Sequence, residues 1–171
     1  VARITQAIEK QEKIIVHGDY DADGVSASVI LISTLKILGA ENTGIYLPHR
    51  ETDGYGLNNN TITKLAEEKT NLIITCDCGI SNTEEIKLAN EKNMDVIVTD
   101  HHAVPETLPP ALAIIHPKVD EAYPDKGLAG GAVAFKLAQA LLKKHEEKHD
   151  LLSDGRTHEA FEKWLLDMVA I

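Results

Sequence analysis

The chain has 171 residues, 43% of them hydrophobic, with a formal net charge of −10. That length and apolar share suit one domain with its own core and exclude a disordered chain, and no apolar run approaches the length of a membrane span. The acidic balance argues against an extended basic surface for nucleic acid and predicts weak binding of long DNA by this chain alone. It does not exclude a nucleic acid whose phosphate is held through metal ions at one cleft.

The opening VARITQAIEK reads as an amphipathic helix over residues 2–11, not as a signal peptide. Residues 13–17 form a first strand that runs into the turn HGDYDADG. Residues 24–38 form a helix with Val25, Val29 and Ile32 on one face, extended by Leu35. Its small residues Ser26, Ala27 and Ser28 allow close packing on a sheet, and Gly39 ends it. Residues 44–47 are a second strand, stopped by Pro48. The polar loop HRETDGYGLNNN and a helix over 60–69 lead to a third strand at 71–76, which ends at Asp77 and Gly79. Ser81 with Glu84 reads as a capping box for a helix that runs to about Asn93. A fourth strand, 95–99, runs directly into Asp100, His101 and His102, and 111–115 is a fifth. GLAGGAVAFKLAQALLKK is a helix with Ala129, Val133, Leu137 and Leu141 along one face. A polar excursion over 145–157 precedes a last helix from 158 to 171, with Phe161, Leu165 and Met168 on one side.

Strands and helices alternate, and the strand runs are continuously apolar, as strands covered on both faces must be. The fold class is therefore α/β: a three-layer domain with a mainly parallel sheet of about five strands flanked by helices. Ligands of such sheets bind beyond the carboxyl ends of the strands. The chain starts without Met and ends inside an apolar helical pattern, so the expectation is a domain taken from a longer protein. Its two cysteines, Cys76 and Cys78, alternate about Asp77 and are poorly placed to bridge. They read as small buried residues in a reducing, cytoplasmic setting.

Three strand ends carry the chemistry. The first offers His17, Asp19, Asp21 and Asp23, the third Asp77, and the fourth Asp100, His101 and His102. A parallel sheet brings all of them to one edge. Carboxylates so crowded repel one another unless a cation sits among them. Mixed carboxylate and imidazole donors suit Mn²⁺, Zn²⁺ or Fe²⁺ better than Ca²⁺. A carboxylate shared by two ions roughly 3.5–4 Å apart makes a two-metal site, whose water attacks phosphorus. Asp77, alone at the end of a central strand, is the candidate bridge. The plainer readings are a helix-capping acidic turn and a satisfied buried His17, with Asp19 either holding the turn or supporting a ligand. Asp100 is placed to orient one of the histidines that follow it.

Around this edge, His49 and Arg50 are placed to clamp a phosphate, although His49, like His116, reads more simply as a loop or packing residue. Tyr55, between Gly54 and Gly56, is an aromatic available to stack on a base. Gly127, Gly130 and Gly131 open a helix whose free N–H groups favour a phosphate, with Gly131 alternatively serving close packing. His145, His149 and His158 read as solvated surface.

The stretches VHGDYDADG, TCDCGISNTEE and VIVTDHH resemble the DHH phosphoesterase family, and Asp100, His101 and His102 are the trio that names it. PHRETDGYGLN, TDHHAVPETLPPALAIIHPK and LAGGAVAFKLAQAL are similar to its branch of bacterial single-stranded-DNA-specific exonucleases. The resemblance implies Mn²⁺- or Mg²⁺-dependent removal of nucleotides from the 5′ end of single-stranded DNA in recombination and repair. It implies His17, Asp21 and Asp77 as ligands of one metal, and Asp23, Asp77 and His101 as ligands of the other. His102 would sit near the transferred phosphoryl group, Asp100 would support the histidines, and Arg50 would contact the substrate phosphate. Family members supply one more Asp from a motif resembling GTVAD, expected just past LLDMVAI; Asp167 aligns with the preceding segment and is not that ligand. On this reading residues 1–171 are a DHH catalytic domain incomplete at its C-terminal end, without the gripping module called DHHA1, monomeric as a fragment, and weak or inactive alone. A helicase or single-stranded-DNA-binding protein is the expected partner, and no membrane. The competing readings are a small-substrate phosphodiesterase or phosphatase acting on short RNA, cyclic dinucleotides or a nucleoside bisphosphate, and a degenerate DHH domain kept for protein contacts.

Overall fold

The structure is a computed structural model that describes residues 1–51 and 54–170. Thr52 and Asp53 of the expected polar loop, and Ile171 at the end of the expected last helix, lie outside the described residues. In chain order the elements are α1 (Ala2–Glu9), β1 (Ile14–His17), α2 (Ala22–Ile37), β2 (Thr43–Tyr46), α3 (Asn59–Glu67), β3 (Leu72–Cys76), α4 (Thr83–Glu91), β4 (Asp95–Thr99), β5 (Ala113–Ile115), α5 (Gly130–Glu146) and α6 (His158–Val169). No helix among the described residues is long and apolar enough to cross a membrane.

The strands form one sheet in the order β2-β1-β3-β4-β5, every pair parallel. Successive side chains of a strand point to opposite faces, which divides the apolar runs between two cores. Ile14, Val16, Leu72, Ile74, Cys76 and Ile97 meet residues of α1, α2, α5 and α6 on one face. Ile15, Ile73, Val96 and Val98 meet Ile62, Leu65, Ile86 and Ala89 of α3 and α4 on the other. The expected three-layer architecture is therefore present, and every strand delivers its last residue to one edge.

Three local expectations are corrected. The buried face of α2 is Ala27, Ile30, Leu31 and Leu35, while Val25 is exposed and Val29 and Ile32 are half-buried. This helix is covered by the sheet on one side and by α5 and α6 on another, so the face could not be read from apolar spacing. Ser26, Ser28 and Thr34 are buried in it because each hydroxyl donates to the carbonyl four residues back, at 2.6–2.7 Å. Ser81 does not cap α4. Asn82 stands at the cap position, but its side chain is engaged elsewhere, with Oδ1 accepting from Leu57 N at 3.2 Å and Nδ2 donating to Leu57 O at 3.1 Å. The third correction concerns His145, in the last turn of α5, and His158, the first residue of α6; His149 is exposed, as expected. His158 is buried and His145 half-buried, with His145 Nδ1 2.9 Å from His158 Nε2 and the ring of His149 stacked on His145 at 4.2 Å. Cys76 and Cys78 are both buried and free, as expected.

Candidate metal centre

The turn after β1 starts α2 earlier than apolar spacing indicates. Asp21 is the N-cap, its side chain accepting from Gly24 N at 2.9 Å, and Asp23 lies in the first helical turn. Asp19 is buried and accepts from Tyr20 N at 2.7 Å. His17, the last residue of β1, is fully buried, stacked on Tyr46 with ring centroids 5.2 Å apart and with Nδ1 3.8 Å from Cys78 Sγ.

Asp77 follows β3 with a φ of 61°, a left-handed conformation that Asp tolerates better than most residues. Gly130, at the start of α5, is so close that a Cβ there would fall 2.7 Å from Asp77 Oδ1. Only glycine lets α5 begin against the buried carboxylate. Asp23 accepts from Gly130 N at 2.7 Å and from Gly131 N at 2.6 Å. The N–H groups read from sequence as a phosphate cradle are therefore occupied by the chain's own anion at a helix N-terminus.

Beyond β4, Asp100 is fully buried and fully engaged. Its Oδ2 accepts from Ile80 N at 2.9 Å, and its Oδ1 accepts from His101 N at 2.7 Å, His102 N at 3.1 Å and His102 Nδ1 at 2.8 Å. Its contact with His102 Nδ1 holds that imidazole in place. His101 Nε2 lies 3.0 Å from Asp77 Oδ1 and 3.5 Å from Asp23 Oδ2.

Among the described residues, two groups of donor atoms result, each within 4.8 Å: Asp77 with His101 and His102, and Asp77 with Asp19 and Asp21. Asp77 belongs to both, the placement a bridging carboxylate needs. Asp19, for which the sequence also allowed a turn or supporting role, is in the second group. His17 and Asp23 are in neither, though both border the centre.

The electrostatics show how strongly the carboxylates repel one another. Burial and then the charge of Asp23, with further contributions from Asp21 and Asp100, push the Asp77 carboxyl up to about 8. Burial also raises Asp19, against the Tyr20 hydrogen bond. Burial alone would lower His102; its hydrogen bond to Asp100 and the charges of Asp100 and Asp77 outweigh that and raise it. Asp77 Oδ1 is buried, and His101 Nε2 reaches it only in a direction that makes no hydrogen bond. A buried carboxylate oxygen without a donor, among further carboxylates and imidazoles, fits a divalent cation.

At the rim, Arg50 is exposed with its guanidinium 5.4 Å from the centre of the Tyr20 ring. Exposed His49 accepts weakly from Glu51 N at 3.4 Å. His116 is a buried packing residue, with Nε2 3.1 Å from His102 O and Nδ1 accepting from Lys118 N. Tyr55 was not legible as part of the centre, yet its hydroxyl is 3.0 Å from Asp77 O and 3.0 Å from His102 Nδ1. Burial and then the charge of Asp100 raise its pKa, which keeps the phenol protonated.

Residues 13–171 match the model of the DHH family, N-terminal domain, and the chain belongs to the DHH family. It is 49% identical over 141 residues to the single-stranded-DNA-specific exonuclease RecJ of Bacillus subtilis, covering 82% of this chain and 18% of that protein. It is 37% identical over 169 residues to the protein of the same name from Haemophilus influenzae, covering 98% of this chain and 29% of that one. Among solved structures it is similar to an exonuclease RecJ bound to manganese, with a TM-score of 0.78 and 38% identity over 84% of this chain and 36% of that chain. The chain thus spans less than a third of the length of these curated relatives.

Proposed function

We propose that this domain is the catalytic part of a metal-dependent exonuclease that hydrolyses single-stranded DNA from its 5′ end. The observation that carries the reading is the buried Asp77 carboxylate shared by two donor groups drawn from three strand ends. Relatives named as single-stranded-DNA-specific exonucleases, and a similar solved structure of an exonuclease bound to manganese, support it.

Asp77 would be common to both ions, with Asp21 and Asp19 on one side and His101 on the other. His17, toward the first ion, and Asp23, toward the second, would complete the set. The ions, Mn²⁺ or Mg²⁺, supply Lewis acidity and lower the pKa of water at the site. Asp100 holds the His102 Nδ1 proton, leaving Nε2 toward the reacting phosphoryl group. Arg50, on its Tyr20 platform, binds a substrate phosphate. In the whole protein the domain works beside a separate strand-gripping module, in keeping with its acidic charge. The setting is cytoplasmic, with a helicase or single-stranded-DNA-binding protein as partner and a monomeric domain.

The test compares hydrolysis of a 5′-phosphorylated single strand with that of a dinucleotide, using the full-length protein and Mn²⁺. Faster loss of nucleotides from the single strand is expected. Preference for the dinucleotide would favour a small-substrate phosphodiesterase. No Mn²⁺ binding and no hydrolysis of either would favour a degenerate domain.

A further inference from the structure

We propose that Tyr55 is a positioning residue for the reaction and acts by fixing the imidazole of His102 through its hydroxyl. The inference deepens the function proposed above and rests on it.

The loop that carries Tyr55 is built for one placement. Gly54 and Gly56 both have a φ of 77°, which other residues rarely adopt. A Cβ at Gly56 would also fall 2.6 Å from Asn82 Oδ1. That Asn82 side chain grips Leu57 by both its N–H and its carbonyl, so the loop is tied to the start of α4. Tyr55 then spans two strand ends, reaching Asp77 O after β3 and His102 Nδ1 after β4, with its ring edge-on to the imidazole at 5.5 Å.

The protons can be assigned. Asp100 Oδ1 and the Asp77 carbonyl can only accept. His102 Nδ1 therefore carries a proton, directed at Asp100 Oδ1, and the Tyr55 hydroxyl donates to the Asp77 carbonyl. The Tyr55 oxygen is left facing the His102 Nδ1–H. Asp100 Oδ1 already accepts from three donors, more than one oxygen serves well, so the phenolic oxygen provides a second acceptor. The His102 ring is about half exposed and has room to swing; Asp100 holds it on one side and Tyr55 on the other. An exposed tyrosine beside a nuclease centre invites a base-stacking role, but its hydroxyl is already committed inward.

The two roles separate in steady-state kinetics of the full-length protein. If Tyr55 positions His102, Tyr55→Phe lowers kcat about fivefold to tenfold, what the loss of one hydrogen bond yields, with KM for the strand unchanged. Base stacking predicts a neutral Tyr55→Phe and a raised KM in Tyr55→Leu, and that pattern would overturn the proposal. A double-mutant cycle locates the effect. In a His102→Asn background, Tyr55→Phe is expected to cost less than about twofold. A full further loss there would place the effect on the Asp77 peptide and overturn the route through His102. If the parent enzyme ignores DNA but hydrolyses another phosphodiester, the substrate reading fails, and the same cycle on that substrate still decides the role of Tyr55.

Discussion

The two halves of the centre differ in how firmly they are held. On the β3–β4 side, Asp77 and Asp100 are buried, Asp100 accepts from four donors, and His102 is held between Asp100 and Tyr55. On the β1–β2 side, His17 and Asp19 are buried, but Asp21 and Arg50 are exposed, and Arg50 rests on a single aromatic ring. The difference divides the labour. On the function proposed above, the braced half would fix the reacting geometry before anything binds, and the open half would adjust as ion and strand arrive. Pre-organisation of this kind is what transition-state stabilisation requires of a site, and a wet rim is what a long substrate requires for entry.

The largest expected effect tests the centre of the braced half. Asp77→Asn keeps the left-handed backbone, which Asn also tolerates, and should lower kcat/KM by more than about 100-fold, beyond what loss of a supporting partner costs. The same change should stabilise the metal-free fold. A carboxyl whose folded pKa is raised prefers its proton when folded. Its cost to stability therefore appears above the ordinary carboxylate pKa and grows until the pH passes the folded value of about 8. Melting at pH 8 without metal should rise by a few degrees in Asp77→Asn, roughly 2–4 °C for each kcal/mol recovered, while the rise that Mn²⁺ gives the parent should vanish. On the β1–β2 side, Asp19→Asn, at a buried carboxylate, should cost activity about tenfold to 100-fold. A larger loss at Asp19 than at Asp77 would reverse the comparison.

Asp100→Asn tests the brace itself. The amide puts an N–H₂ where a carboxylate oxygen met backbone N–H groups, which leaves a buried donor facing a donor. The expected cost is about 1–3 kcal/mol of stability, read by denaturant melting, together with a loss in kcat. Unchanged stability would mean that this buried carboxylate does not hold the two strand ends together.

The contrast also marks what the sequence could reveal. Continuous apolar runs such as LIITC and VIVT, followed by Asp or Asp-His-His, make the sheet and its acidic edge legible, because strand period and parallel topology place those ends without further information. Arrangements that depend on distant contacts were not legible. Asp23 meets Gly130 and Gly131 across more than a hundred positions, so nothing near LAGG shows that its amides are occupied. Asn82 turns its side-chain oxygen to Leu57 instead of to the N–H groups of its own helix, which hides the failure of the Ser81 capping box. The α2 face was misread because a helix covered on two sides has no single apolar stripe. Tyr55 is the clearest case: an exposed aromatic between glycines carries no mark that its hydroxyl reaches inward.

A smaller effect probes the open rim. Arg50→Ala should raise KM for a 5′-phosphorylated strand by on the order of tenfold, about 1.4 kcal/mol, and change kcat little. Arg50→Lys should recover part of it, since the charge remains while the planar fork is lost. An equal fall in kcat would move Arg50 into the braced half.

The smallest effect separates two kinds of half-buried histidine. Asp100 holds His102 above its ordinary pKa, whereas at the α5–α6 junction burial, then His149 and His158, push His145 below it. A histidine whose folded pKa lies under the unfolded value binds its proton more readily when unfolded. Its stability is full above about pH 6.5 and is lost as the pH falls through the interval below. The melting temperature of the domain should therefore decline on acidification from neutral, and His145→Gln should decline less, by about 2 °C or under, because much of the ring remains in contact with water. His116 is also lowered by burial, so an identical decline in parent and variant would place the acid sensitivity there, beside the braced half, and not at the helix junction.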